Sequence, residues 1–426
     1  MSNRIVIKGG RIIDPTHKMD QMGDILIEDG KISAIESLIV IKGDVIEINA
    51  HGMIVTPGLI DLHTHLREPG FEYKETVETG VAAAIAGGFT TICCMPNTNP
   101  VNDNASVTEL ILERARKIGK TKILPVGAIT RGLKGEELSE IGELVSAGCA
   151  AISDDGMPVM NSLIMRRALE YAKIFDIPVI DHCEDLNLTD GGVMFEGAVS
   201  TALGLKGIPA ASESVMVARD IALASLTGGR VHLAHISTAA SVHLIREAKV
   251  RGVLVTAETC PHYFTLTDEA VNGYNTNAKM KPPLPSVLDL LEVRAGLADG
   301  TIDAIATDHA PHAPWEKEQE MDRAPFGIIG LETAIPLSLR LVSSGVLSLP
   351  ALIQKLTQGP AQILRKGIGQ IRSGDCADIT IIDPELEWTV KGESFKSKSK
   401  NSPFIGWKMK GKAVTVIVAG KVIENE

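Results

Sequence analysis

The residues best suited to chemistry sit in short polar clusters that close apolar runs. The first cluster is Asp61-Leu62-His63-Thr64-His65. Residues two apart on a strand point the same way, so Asp61, His63 and His65 are expected to share a face, with two imidazoles in reach of one metal ion. Ser153-Asp154-Asp155, His182, His235 and Asp308 close later runs in the same manner. Imidazole nitrogen combined with carboxylate oxygen suits zinc or another borderline divalent ion. The expected ligands are therefore His63, His65, Asp155, His182, His235 and Asp308. Such an ion lowers the pKa of bound water and polarises a carbonyl. Asp308 is then the natural proton carrier between water and a leaving nitrogen. The chemistry described is amide hydrolysis, or amide closure in reverse. Arg67 follows the His-x-His pair by two residues and is expected on the same face, as a bidentate clamp for a carboxylate. Asn97 and His312 are further polar groups for a substrate.

One histidine at the end of an apolar run is more often an ordinary polar residue than a ligand. The weight lies in the whole set falling at successive strand ends. His17, His51, His232, His243 and His309 are read as structural, His232 because its offset from His235 turns it the other way. Cys183 and Cys260 are read as packing residues, since neither has a paired base.

The elements that must position these groups are eight short apolar runs: 54–61, 91–95, 123–128, 150–153, 178–180, 231–234, 253–257 and 304–306. Segments with helical spacing fill most gaps, most clearly 75–86, 105–118, 137–147 and 163–175. Glycine often closes a helix before the next strand, as at Gly119, Gly148 and Gly300. Eight alternating units predict an α/β fold, a closed (β/α)8 barrel whose active face lies at the C-terminal strand ends. A doubly wound open sheet would place a glycine-rich phosphate loop after its first strand, where this chain has His63, His65 and Arg67. Alternating runs at 4–13, 24–36, 45–48, 378–382 and 414–418 predict a small β domain built from both ends. The expected division is 1–53 with 370–426 for that domain and 54–369 for the barrel. Connections 186–211 and 264–285 are long enough to be functional or packed on a neighbour.

The 426 residues are 44% hydrophobic but only 4% aromatic, as suits an aliphatic α/β interior. A net charge of -11 without a basic stripe argues against a nucleic-acid partner. The lysine-rich run 391–400 is expected to be a solvated loop. The six cysteines show no C-x-x-C spacing and suit a reducing cytoplasm, and the first residues resemble neither a signal peptide nor a membrane span.

The stretch from Asp61 to Gly70, DLHTHLREPG, resembles the signature of dihydroorotases in the amidohydrolase superfamily. Similar segments recur at 95–99, 152–156, 182–185, 232–238, 306–312 and 324–332, then at Ser397–Asn401 and Pro403-Phe404. The resemblance implies reversible hydrolysis of (S)-dihydroorotate to N-carbamoyl-L-aspartate in pyrimidine biosynthesis. It further implies one or two zinc ions, with His63 and His65 on one, His182 and His235 on a second, Asp155 bridging and Asp308 as acid/base beside the first. It puts His65, Arg67, Asn97 and His312 beside the substrate, and has the segment holding Phe326 and Gly327 close over the ring. The fourth run lacks the lysine that is carbamylated in hydantoinases and some relatives, which favours the type I subfamily. Some type I enzymes work with aspartate transcarbamoylase, so that enzyme is a candidate partner, and a homo-oligomer is expected.

Two positions depart from the family pattern. Lys281 stands where an asparagine usually contacts substrate, and Phe195 where an asparagine usually precedes Glu196-Gly197. Lys281 either meets the substrate carboxylate or is solvated on a shifted loop. Two other readings compete: a different cyclic-amide hydrolase, such as an allantoinase or hydantoinase, and a non-catalytic relative. The first has no use for a carboxylate clamp of Arg67 and Asn97, and the second typically loses ligands, all of which are present here.

Overall fold

The computed structural model describes residues 4–41 and 43–423. Its centre is a parallel sheet of eight strands in chain order: Leu59–Thr64, Phe89–Cys94, Lys122–Gly127, Ala151–Ser153, Val179–Asp181, Val231–Leu233, Val255–Thr259 and Ala304–Ile305. The seam between the eighth and first strands closes through a parallel bridge from Thr64 to His309, with His65 N–H donating to the His309 carbonyl at 2.9 Å. The fold is thus the expected (β/α)8 barrel rather than an open sheet.

The barrel interior is small and aliphatic. Leu62, Val126, Ala151, Ile180, Ala234 and Ala304 fill it, and Ile363 and Leu364 join the same cluster. Residues this compact let strand ends converge, so polar groups at the mouth meet without bulky neighbours between them. The helices begin where side chains can cap them. Ala105–Ile118 starts on Asn104, whose side chain accepts from Val107 N–H, and stops at Gly119 with φ 63°. The helix expected from residue 75 begins only at Val77, because Thr76 and Thr79 form a capping box and Glu75 is committed elsewhere.

Both ends of the chain meet in a second sheet. Its path runs Lys421–Ile423, Lys408–Val418, Ile379–Thr389, Ile54–Pro57, Arg4–Asp14, Met19–Glu28 and Lys31–Glu36, with Ile46–Asn49 paired to Arg4–Asp14. Two of the runs read from sequence divide here. Run 24–36 breaks at the Asp29-Gly30 turn. Run 54–61 breaks at Gly58: its first half lies in the terminal sheet and its second half opens the barrel. A Cβ at Gly58 would come within 2.1 Å of Thr90 Oγ1, so the crossing from one sheet to the other requires glycine.

The lysine-rich run 391–400 is not a solvated loop. Its lysines 391, 396 and 398 are exposed, but Phe395, Ser397 and Ser399 between them are buried. Ser397 Oγ and Lys398 N–H both donate to Glu75, Ser399 Oγ donates to the Lys74 carbonyl, and Lys396 N–H reaches Glu332. The run is a strap across the barrel mouth. Of the long connections, 186–211 carries a two-stranded parallel ribbon, Met194–Phe195 with Gly207–Ile208. No helix among the described residues is long and apolar enough to cross a membrane.

Candidate active site

Six of the sequence-derived groups converge at the C-terminal mouth. His63 Nε2 lies 3.2 Å from Asp155 Oδ1 and 3.6 Å from Asp308 Oδ1. His65 Nε2 lies 3.4 Å from Asp155 Oδ2 and 3.2 Å from Asp308 Oδ1. His182 Nδ1 lies 3.4 Å from Asp155 Oδ1 and 2.9 Å from His235 Nε2, which is itself 3.5 Å from that carboxylate. Asp155 thus stands between two imidazole pairs. All six side chains are buried.

Donor chemistry here fits a divalent cation. Ligand atoms of His63, Asp155 and His235 lie within 4.8 Å of one another, as do those of His63, His65 and Asp308. His63 Nε2, Asp155 Oδ1 and His235 Nδ1 are buried without a hydrogen-bond partner. Orphaned polar atoms are costly unless something binds them. The outward nitrogens of two histidines meet carboxylates that can only accept: His63 Nδ1 with Glu258 Oε1 at 3.2 Å, and His182 Nε2 with Glu184 Oε2 at 3.2 Å. Each ring then keeps its proton outside and turns a lone pair inward, the arrangement usual behind metal-binding histidines. His65 Nδ1 does the same with Asn97 Oδ1 at 2.8 Å.

The electrostatics agree. Burial opposes charge on His182, yet hydrogen bonds to Asp155 and Glu184 prevail and lift its pKa to about 10. His63 is likewise held well above its usual range, against burial, by the charge of Asp155. Burial would raise Asp155 and Asp308, but surrounding imidazoles keep both carboxyls well below the ordinary range. The cluster is built to attract positive charge.

Backbone strain marks the same places. His235 (φ 38°), Asp308 (φ 47°) and Arg67 (φ 62°) occupy the left-handed region although none is glycine. Such conformations cost about 1–3 kcal/mol each and collect at functional sites. Because Arg67 lies beyond the end of its strand and in this conformation, alternation with His65 does not aim it; its Nε instead donates to the Pro311 carbonyl at 3.2 Å.

Three further sequence-derived placements change. Asp61 does not share the metal face with His63 and His65. Its carboxylate accepts from Thr307 N–H at 3.0 Å and Thr307 Oγ1 at 2.6 Å, tying the first strand to the eighth. His232 does not face away from the site's supports: its Nε2 lies 3.1 Å from Glu258 Oε2 in the barrel interior. Lys281 is partly exposed, and its ammonium pairs with Glu184 Oε1 at 2.8 Å, a partner the sequence did not suggest. His309 is structural as expected, held between Glu75 and Gly330 N–H. Burial pushes the Cys183 and Cys260 thiols well up, which suits packing rather than attack. His312 is brought to Phe326, with Nε2 2.8 Å from its carbonyl, and burial depresses the ring's pKa to about 3.

Sequence reasoning passed over Glu258 and Glu184, which orient His63 and His182, and Lys317. The Lys317 ammonium donates to the carbonyls of Lys279 at 3.2 Å, Pro325 at 2.8 Å and Gly327 at 3.0 Å, and so holds the 325–327 segment.

Known proteins are similar to this chain in sequence and fold. The dihydro-orotase-like family profile matches residues 52–241. The chain is 56% identical to the dihydroorotase of Geobacter metallireducens over 419 residues, covering 98% of this chain and 99% of that one. The belonging is thereby decided. This chain is a member of the dihydroorotase family. The dihydroorotase of Syntrophus aciditrophicus is 54% identical over 424 residues, covering 99% of this chain and 100% of its own. Among solved structures, the L-hydantoinase of Arthrobacter aurescens superposes with a TM-score of 0.88 at 25% identity, covering 99% of this chain and 96% of that chain. The dihydropyrimidinase of Brevibacillus agri shares the fold, with a TM-score of 0.84 at 22% identity, covering 99% of this chain and 95% of its own. The family and its structural neighbours are cyclic amide hydrolases, and they are metal-dependent.

Proposed function

We propose that this chain hydrolyses (S)-dihydroorotate to N-carbamoyl-L-aspartate and runs the closure in reverse for pyrimidine biosynthesis. The carrying observation is the buried set of four imidazoles around Asp155, with Asp308 at its edge. His63 and His65 would hold one zinc ion with Asp308, and His182 and His235 a second, with Asp155 between. The chemistry such ions supply is Lewis acidity, which makes water a nucleophile near neutral pH and polarises an amide carbonyl.

The chain's own groups do the rest. Asp308 takes the proton from the attacking water and returns it to the amide nitrogen as the ring C–N bond breaks. Its carboxylate, kept ionised by His65 and His63, is ready to accept. Arg67 offers its guanidinium to the substrate carboxylate. Asn97 spends its Oδ1 on His65, which turns its amide donors toward substrate. The substrate carboxylate would replace the Phe326 carbonyl at His312 Nε2 as the 325–327 segment closes over the ring.

Turnover of dihydroorotate by the purified chain, with zinc counted on the same sample, tests this reading. Native protein should turn over and hold zinc, and a His63→Ala/His65→Ala variant should lose both. Equal zinc in the two proteins would remove those two ligands from the assignment. Hydrolysis of a hydantoin but not of dihydroorotate would favour the rival substrate. Assembly as a homo-oligomer or with aspartate transcarbamoylase is read from the mass of the native complex.

A further inference from the structure

A chain of contacts behind the fifth strand reaches from a ligand to the far side of the mouth. Glu184 follows His182 by two residues, and its Oε2 lies 3.2 Å from His182 Nε2. Its other oxygen accepts from Thr189 Oγ1 at 2.7 Å and pairs with Lys281 Nζ at 2.8 Å. Lys281 comes from the loop after the seventh strand. The pair is largely enclosed, with the Glu184 side chain 7% exposed and that of Lys281 23%. An ion pair this sheltered is not dissolved by solvent screening as a surface pair is. His182, Glu184, Phe195 and Lys281 line one small cavity, so both departures from the family pattern border it. Lys281 Nζ also lies 5.0 Å from the centre of the Phe326 ring, which Lys279 Nζ approaches to 4.4 Å.

The geometry follows from what each group can donate. A carboxylate only accepts, so the hydrogen bond to Glu184 fixes the proton on His182 Nε2. The lone pair on Nδ1 then faces Asp155 and His235. A carboxylate on a two-carbon stem can swing. Thr189 and Lys281 hold its second oxygen, and a held carboxylate holds the ring. Lysine suits this as a compact cation with three donors.

We propose that Lys281 is a positioning residue for the second metal site. It clamps Glu184, Glu184 clamps the His182 imidazole with Nδ1 inward, and the same ammonium lies against the ring of the segment that covers the substrate. The proposal rests on His182 being a ligand.

The test uses the full chain, stripped of metal and titrated with zinc and with cobalt(II), whose visible absorption reports ligand geometry. The variants are Lys281→Met, Lys281→Gln, Lys281→Arg and His182→Ala. Two neutral replacements guard against one that does not fold, and the arginine variant keeps the charge. Native protein should take two equivalents. Lys281→Met and Lys281→Gln should take the first normally and bind the second about tenfold more weakly, near the low end for partners behind metal ligands, with an altered cobalt spectrum. Lys281→Arg should restore most of that affinity. His182→Ala should lose the second equivalent. Native second-site affinity and spectrum in both neutral variants, with the loss in His182→Ala intact, would overturn the role of Lys281 alone. Retention of the second equivalent by His182→Ala would instead overturn the ligand assignment, and this proposal with it.

Discussion

Replacing Glu258 tests whether the groups behind the ligands matter as much as the ligands. The carboxylate is wholly buried between His63 Nδ1 at 3.2 Å and His232 Nε2 at 3.1 Å. Burial would raise its pKa, but those two imidazoles hold it at about 2. Glu258→Gln keeps the shape and removes the charge. The amide oxygen can still accept from His63. The amide nitrogen then faces His232, which can move its proton to Nδ1, where Thr256 Oγ1 lies 2.9 Å away and can accept. The hydrogen bond from His63 survives and the contact with His232 is kept, so what disappears is the charge that makes His63 a better base. Loss of such a partner typically weakens metal binding about 10–100-fold, or about 1.4–2.8 kcal/mol. Glu258→Leu removes the acceptor of His63 Nδ1–H; His232 can again turn its proton to Thr256, so one buried N–H is stranded at about 1–3 kcal/mol, and metal-free stability should fall as well. Competition with a chelator measures the first effect and denaturant unfolding of the stripped protein the second. Unchanged zinc affinity in Glu258→Gln would refute the argument that this carboxylate tunes His63.

Asp308→Asn should lower turnover by about 10²–10⁴-fold while zinc is retained; near-normal turnover in a zinc-loaded variant would give the proton another route. Thr307→Val should remove the hydroxyl that donates to Asp61 at 2.6 Å and lower stability by about 1–3 kcal/mol, read as an earlier denaturant midpoint; an unchanged midpoint would mean the first and eighth strands close without this bond. Burial pushes Lys317 down to about 7 from its usual 10.5, so between those values the unfolded chain holds more protons than the folded one and stability should rise with pH. Lys317→Met should lack that part of the rise, and an equal pH slope in the two proteins would show that Lys317 is not depressed.

The convergence of the proposed ligands was legible because it depends on residue type and strand position, both written in the sequence. His63, His65, Asp155, His182, His235 and Asp308 each follow an apolar run, and a closed barrel must bring such ends together. What lay behind them was not. Glu258 sits inside the seventh strand, where one charge among Val255, Thr256 and Ala257 is the only hint that the position faces inward. Asp61 obeyed the alternation rule on paper, but an acceptor that Thr307 can satisfy twice goes to Thr307. In the run 391–400 the lysines announce exposure, while the serines between them carry the docking contacts and give no hydrophobic signal. Lys281 reads as a substitution at a substrate position; only the fold shows that Glu184 is within its reach.

That strap has a consequence for the life of the protein before it is whole. Ser397 binds Glu75, and Asn401 accepts from His312 N–H while donating to the carbonyls of Ala310 and Gly327. All eight barrel strands precede these residues in the chain. A ribosome therefore releases every ligand well before it releases the clasp that steadies His312 and the 325–327 segment. All six proposed ligands are made early, yet the rim stays unfastened until translation has run past Asn401. A chain interrupted between the eighth strand and the strap would carry every proposed ligand yet lack the contacts that fasten the mouth.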